Sequence, residues 1–414
     1  MEFPKEKMLK RILSLKKDSD YYRGKLSFID DNFEKNFNYD LYTSIPILTR
    51  EDFLDNSQLF KTSSSKISRL HFSGGTLGKP KKIYYSLKDW NNSVNKVIEC
   101  LQLVDVSDSD TVAIIQPFGP WAIGSLFLDA ITSIGGLALP IGIHMEDSEI
   151  LNLMIANKTT TVMAAPGNLC RLTSIMVNLE LKIPSVQKII LSGELVLPGQ
   201  ISFLENIWKA EVISYYGTAE TDSLGIEKTK KSGIHLFSND MFFEIVTNNV
   251  SQPLRKGATG ELLVSTLNNE GTPILRYKIG DEITCLDSIQ NHHIIQVNGR
   301  SSGGISFRDG TKVSPEQIHS AIENVLHCYT GCKVAFQEYD MKELLKCTIF
   351  TPEKISNAQL SIIKDNILRS SIDIYDTFSS GLLRKIEIEI KTPEEIPLNH
   401  RGKAIWFEDC RTSI

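Results

Sequence analysis

The densest chemistry in this chain of 414 residues sits in Ser73-Gly74-Gly75-Thr76-Leu77-Gly78-Lys79-Pro80-Lys81. Glycines let a backbone turn tightly and aim successive N–H groups at an anion. Ser73 and Thr76 add hydroxyl donors, and Lys79 and Lys81 add positive charge, so the segment suits phosphate groups. It is not a Walker A loop, which needs glycine where Ser73 stands and Ser or Thr where Pro80 stands. Taken alone, the same residues also read as a polar surface loop. Further on, Ser214-Tyr215-Tyr216-Gly217-Thr218-Ala219-Glu220 sets aromatic faces, suited to a purine, near a carboxylate, a hard oxygen ligand for magnesium. A strand-end turn with an exposed glutamate is the plainer alternative. Arg276-Tyr277-Lys278-Ile279-Gly280-Asp281 ends on an acceptor-only carboxylate that can take two donors. Gly-Asp is also an ordinary hairpin turn. Asn298-Gly299-Arg300 and Asn399-His400-Arg401-Gly402-Lys403-Ala404 each place a cation directly after a glycine, and each alone reads as a basic or polar turn.

The rest of the composition narrows the setting. Hydrophobic residues make up 41% and charged residues 23%, with a formal net charge of −5, which fits a soluble enzyme and gives no pull toward nucleic acid or an anionic membrane. The seven cysteines are scattered without zinc-finger spacing, so unpaired thiols in a reducing cytoplasm are expected. Adjacent His292 and His293 would point to opposite faces of a strand and would not share a metal. Near the N-terminus, charges interrupt every apolar run, which argues against a signal peptide or membrane span. Leu9, Ile12, Leu13 and Leu15 fit an amphipathic helix with a lysine-rich outer face.

Apolar periodicity then supplies the elements that must position these segments. Runs 111–118, 135–142, 159–166 and 188–194 read as strands, with a helix over 124–134. Strands alternating with helices imply crossovers and a mostly parallel sheet, whose ligands bind beyond the carboxyl ends of the strands. Residues 260–267 and 273–286 read as strands of a separate β-rich section. From Ser314, a cap followed by Pro315 and Gln317 starts a helix. A hairpin, a second helix over 356–371 and a strand over 383–390 complete a compact α+β unit. The fold class is therefore α/β, with residues 1–300 as a large domain and 301–414 as a small one.

In this order, the segments resemble the motifs of the adenylate-forming superfamily: acyl-CoA synthetases, peptide-synthetase adenylation domains and firefly luciferase. The 73–81 segment is similar to SSGTTGKPK, 215–220 to YGxTE, 276–281 to RYRTGD, Leu191-Ser192-Gly193-Glu194 to the adenine turn GGE or GAE, and 399–404 to the final lysine motif. Gly260-Glu261-Leu262 and the run Asp309–Pro315 also match. The branch resembled most is phenylacetate–CoA ligase, through chain length and the GIHLFSNDMFFEIV stretch at 233–246. Three positions depart from the pattern: Leu77 for a second Thr or Ser, Ala219 for Thr or Ser, and Ser302 where a charged hinge residue is usual.

The resemblance implies roles. Ser73, Gly74, Gly75, Thr76, Gly78, Lys79 and Thr218 would hold the phosphates of ATP. Ser192, Gly193, Glu194, Tyr215, Tyr216, Gly217, Asp281 and Arg300 would hold adenine and ribose. Glu220 would ligate Mg²⁺, and Lys403 would stabilise charge as a carboxylate attacks the α-phosphate. Ser302 would be the hinge of a mobile C-terminal lid. Phe118, Trp121 and Gly124 would line the acid pocket, their rings suggesting an aromatic or small apolar acid; ordinary core packing is the competing reading of both rings. The implied reaction is acyl-AMP formation followed by transfer to coenzyme A. Two alternatives remain: a stand-alone enzyme loading the phosphopantetheine arm of an acyl or peptidyl carrier protein, and a weakened nucleotide-binding regulatory protein. No nucleic-acid or membrane partner is expected, and monomer and homodimer are both open.

Overall fold

The computed structural model describes residues 3–73, 80–229, 232–248, 250–289, 292–301, 305–306, 312–339, 342–370, 372–381 and 383–411. Within the loop expected to hold phosphate, Gly74, Gly75, Thr76, Leu77, Gly78 and Lys79 therefore lie outside the described residues, as does the hinge position Ser302. The chain divides into two compact units. One comprises Met1–Asp110, Pro117–Gly142 and Ile213–Ser301; the other comprises Thr111–Gln116, Ile143–Val212 and Ser302–Ile414.

The first unit is built on antiparallel strands. Strand Met241–Thr247 pairs with Val250–Pro253 on one side and with Thr259–Thr266 on the other. Pairing continues through Tyr277–Ile289, His292–Arg300, Ile234–Leu236 and Asp222–Glu227 to Glu211–Thr218. Register shifts at Glu282/Ile283 and Cys285/Asp287 mark bulges, which bend a strand and re-aim its side chains. His292 bonds His235 through ring nitrogens 3.0 Å apart, while His293 turns inward to Ser288, 2.9 Å away, so the two adjacent histidines do face apart. The N-terminal helix Lys5–Asp18 buries Met8, Arg11, Ile12 and Leu15. That stripe is shifted from the one read in the sequence, because Leu9 and Leu13 are only half-buried. Arg11 joins the buried face because its guanidinium donates to the Thr266 and Asn269 carbonyls.

The second unit carries the parallel strands: Thr161–Ala164 lies between Thr111–Ile115 and Lys188–Ser192, all in the same direction. Their burial is nearly continuous, as expected for parallel strands covered on both faces. Helices Pro166–Asn178 and Pro198–Trp208 each begin with proline, whose fixed φ suits a first turn.

The C-terminal part of this unit orders its strands as Leu383–Lys391, Lys342–Phe350, Gly331–Tyr339 and Phe407–Asp409. Helix Pro315–Glu323 is started by a reciprocal Ser314–Gln317 capping box, as its sequence anticipates. Leu197 joins the hydrophobic cluster of Val313, Ile318, Phe336 and Ile367, tying the 188–208 region to the 313–407 region. Gln200 adds a buried bond from its side-chain amide to the Thr330 carbonyl, 2.9 Å. Gly199 runs against the Tyr329 backbone, where any side chain would collide. Among the described residues, no helix is long and apolar enough to cross a membrane.

Candidate active site

Two groups of candidate residues are built independently, one in each unit. In the first unit, Glu220 sits at the tip of the hairpin joining Glu211–Thr218 to Asp222–Glu227. Gly217 is required there: a Cβ would stand 2.5 Å from the Asp222 carbonyl oxygen. Glu220 is buried and forms an ion pair with the equally buried Lys81. Tyr277 completes the cluster. Its hydroxyl accepts from the Lys81 ammonium at 2.9 Å and donates to Glu220 Oε1 at 3.2 Å. Burial alone pushes the Glu220 carboxyl up, but the charge and hydrogen bond of Lys81, helped by Tyr277, outweigh it and hold the group below its ordinary value. Ser73 and Lys81 are themselves paired through the Ser73 amide to the Lys81 carbonyl at 2.9 Å and the Lys81 amide to Ser73 Oγ at 3.3 Å. Thr218 Oγ1 lies 2.9 Å from Thr221 Oγ1.

A second cluster in the same unit joins Tyr216, Asp281 and Arg300. The Tyr216 hydroxyl donates to Asp281 Oδ2 at 2.7 Å, and Arg300 Nε lies 3.0 Å from Asp281 Oδ1. Cross-strand register puts Asp281 opposite Arg300, and Gly280, at φ +87°, takes the left-handed turn beside them. The Arg300 side chain is 61% exposed, with Nε on Asp281 and Nη1 donating to the Ile279 carbonyl at 3.2 Å. Burial, then the Asp281 charge, push the Tyr216 phenol well up, so it remains a hydrogen-bond donor.

Tyr215 is turned the other way. It packs edge-on to Phe127 and bonds Ser223 inside the core. Alternation along Glu211–Thr218 puts these two tyrosines on opposite faces. In the 117–124 stretch, Trp121 precedes helix Ala122–Ser133 without a side-chain cap bond, and Phe118 lies so close to its first turn that a Cβ on Gly124 would come within 2.9 Å of the ring. Both rings are half-buried.

In the second unit, the strand ending at Ser192 leads into Gly193, at φ +92°, and then Glu194. Across 210 positions of sequence, Lys403 Nζ donates to the Gly193 carbonyl at 2.5 Å, and the Ala404 amide donates to Glu194 Oε1 at 2.9 Å. The turn bearing Lys403 is closed by Asn399, whose side chain accepts from the Arg401 and Lys403 amides. Gly402, at φ +68°, packs against Ile143.

A family model described as AMP-binding enzyme matches residues 8–269. The chain belongs to this AMP-binding enzyme family. Curated relatives include the phenylacetate–coenzyme A ligase of Aromatoleum evansii, 23% identical over 286 residues, covering 67% of this chain and 64% of that protein. The phenylacetate–coenzyme A ligase of Escherichia coli is also 23% identical, over 292 residues, covering 68% and 66%. Among solved structures, 2-hydroxyisobutyryl-CoA ligase in the postadenylation state with 2-HIB-AMP superposes with a TM-score of 0.78 at 15% identity, covering 98% of this chain and 88% of that one. An acyl acid amido synthetase superposes with a TM-score of 0.69 at 14% identity, covering 93% and 85%. At those identities the structural likeness speaks for the fold.

For this AMP-binding family member, reading residue types one motif at a time missed two members of the Glu220 cluster. Lys81 closes the 73–81 segment, but its partner could be anything. Tyr277 follows Arg276, which is the more conspicuous residue yet proves structural: it is buried, bonds the Ile45 carbonyl and Ser251 at 2.6 Å each, and pairs with Glu244. Arg276 precedes strand Tyr277–Ile289 and takes a left-handed φ of +50°, which separates its side chain from that of Tyr277.

Proposed function

We propose that this protein activates a carboxylic acid with ATP and transfers the acyl group to the thiol of coenzyme A. A carboxylate oxygen attacks the α-phosphorus, the α–β phosphoanhydride bond breaks, and pyrophosphate leaves with the bonding electrons. The thiol sulfur then attacks the acyl carbon, the bond to AMP oxygen breaks, and the thiol proton passes to solvent. A carboxylate is already nucleophilic, so the first step needs positioning and charge neutralisation more than a base. Lys403 supplies a cation for that step, Tyr216 and Asp281 with Arg300 hold the nucleoside, and Ser73, Gly74, Gly75, Thr76, Gly78, Lys79 and Thr218 hold phosphate. Residues 301–414 act as a lid turning at Ser302, which withdraws Lys403 before the thiol enters. Phe118 and Trp121 favour a flat, apolar acid over a charged one.

Magnesium fits the residues present in a limited way. Among the described residues no cluster of three or more metal-ligating side chains occurs. A magnesium held mainly by ATP phosphates needs only one or two carboxylates, and Glu220 offers one. The ion, when bound, would neutralise phosphate charge, and Lys81 and Tyr277 keep Glu220 ionised.

The observation carrying this reading is the Lys403–Gly193 contact, which joins a C-terminal cation to the turn after a parallel strand, where ligands of such sheets bind. Acid-dependent exchange of pyrophosphate into ATP tests it, run across aromatic, branched and linear acids and repeated on Lys403→Ala. Exchange should appear with a subset of acids and fall at least about tenfold in the variant, the scale on which aligned charges contribute. Exchange with no acid, or unchanged exchange in Lys403→Ala, would overturn it. Thioester formation measured with coenzyme A against a carrier protein then identifies the acceptor.

A further inference from the structure

Glu194, a residue the resemblance assigns to adenine and ribose, also makes close contacts within the protein. The residue is half-buried, with Oε1 accepting the Ala404 amide and the buried Oε2 lying over Gly167, where a Cβ would stand 3.3 Å away. The Trp406 ring comes equally close to that same point. Trp406 in turn packs on Phe350 and His319, at ring separations of 6.2 and 6.3 Å. Consecutive residues Gly193 and Glu194 thus grip consecutive residues Lys403 and Ala404, and the Trp406 carbonyl accepts the Val334 amide at 2.8 Å where strand Phe407–Asp409 begins.

Burial outweighs every neighbouring charge and hydrogen bond in setting how this carboxyl titrates. Burial pushes the Glu194 carboxyl up to about 7, against the pull of the Ala404 amide, Lys403, the Trp406 indole and the Gly167 amide. Cys170, on the adjoining helix, stays a thiol because it is buried and faces Glu194. His319, behind Trp406, is pushed down to about 4 by burial and is neutral.

We propose that Glu194 is a positioning residue that clasps the Ala404 amide, so that Lys403 is presented only while this clasp is closed. The proposal rests on the reading that Lys403 serves the acid-activating step. Release of the clasp then accompanies the thiol-transfer step, for which Lys403 is not needed. In this assignment Glu194 acts through the turn that carries Lys403. A purely adenine-reading Glu194 would instead affect nucleotide affinity in every step.

The test uses the full chain as Glu194→Ala, Glu194→Gln and Lys403→Ala. Three quantities are measured: hydrogen exchange of the 399–406 amides, acid-dependent pyrophosphate exchange, and thioester formation from coenzyme A and the preformed adenylate of an acid that supports exchange. In Glu194→Ala the Ala404 amide should exchange at least about tenfold faster and pyrophosphate exchange should fall about ten- to hundredfold in kcat, as for a buried donor left without its partner. The KM for ATP should stay within about twofold and transfer from the adenylate should hold or rise. Glu194→Gln, which keeps a carbonyl acceptor, should retain most of the wild-type behaviour. An unchanged Ala404 amide overturns the clasp, and so does a raised KM for ATP with kcat preserved. Unchanged pyrophosphate exchange in Lys403→Ala would sink the reading of Lys403 instead, while amide exchange alone still decides whether Glu194 holds the turn.

Discussion

Replacing Gly167 by alanine sets two effects of opposite sign against each other. Gly167 lies in the first turn of helix Pro166–Asn178, where glycine costs roughly 0.5–1 kcal/mol relative to alanine through backbone entropy. Judged from the helix alone, the variant should be stabilised. The new Cβ, however, would stand 2.6 Å from Ala404 Cβ and 3.3 Å from both Glu194 Oε2 and the Trp406 ring. Ala404 Cβ is bonded directly to backbone and cannot swing aside, so the 403–406 segment must shift bodily. Overpacking of this kind costs about 1–3 kcal/mol. If that cost falls on docking of the segment, the docked population drops by roughly five- to 150-fold, taking 1.4 kcal/mol per tenfold. We expect Gly167→Ala to keep or raise its melting temperature, lose pyrophosphate exchange in proportion, and retain thioester formation from preformed acyl-AMP. Exchange at the wild-type rate would refute the reasoning, since the crowded methyl would then cost the docked turn nothing. A fall in all three measurements would show that the 403–406 segment contributes to global stability and does not dock separately.

Other outcomes are equally specific. Lys81→Met should destabilise the chain by about 3–5 kcal/mol, because it strands Glu220 as a buried, unpaired carboxylate; adding Glu220→Gln should restore most of that in thermal unfolding, and additive losses would contradict the pairing. Tyr216→Phe frees one oxygen of Asp281 and should raise the KM for ATP about two- to tenfold, whereas Tyr215→Phe, which breaks the bond to Ser223, should lower stability and leave that KM alone. Glu194 has an ordinary value of 4.5 and reaches about 7 when folded, so the folded chain holds a proton that the unfolded chain releases across that window. Its contribution therefore weakens stability as pH rises from about 4.5 to 7, by roughly 3 kcal/mol in all, and is flat above. Melting temperatures of wild type and Glu194→Gln compared between pH 5 and pH 8 should diverge, the wild type losing more, and parallel curves would contradict the burial assigned to Glu194.

What the sequence disclosed was mostly local. The Ser314–Gln317 capping box involves neighbours three apart, and strand Leu383–Lys391 alternates along its own length, so each could be read without knowing the fold. The α/β class followed from the same periodicity, and the family resemblance followed from motif order. Partnerships over long separations were not legible. Lys81 meets Tyr277 across 196 positions and Glu194 meets Ala404 across 210, and nothing in either neighbourhood encodes the other. The motif marks Glu194 for adenine because it lies at a strand end; the packing of Gly167 and Trp406 around its buried Oε2 is not visible in the sequence. Tyr215 and Tyr216 were both placed against the nucleoside, although strand alternation could have separated them.

The most direct measurement follows one oxygen atom. Supplying an acid that supports turnover with ¹⁸O in its carboxylate, together with ATP and coenzyme A, and reading the products by mass spectrometry, reports which bonds form and break. An acyl-AMP route delivers one ¹⁸O to AMP and none to pyrophosphate, and Lys403→Ala should slow its appearance without diverting it. Label in inorganic phosphate with ADP as product, or label-free AMP, would contradict adenylation as the chemistry of this site.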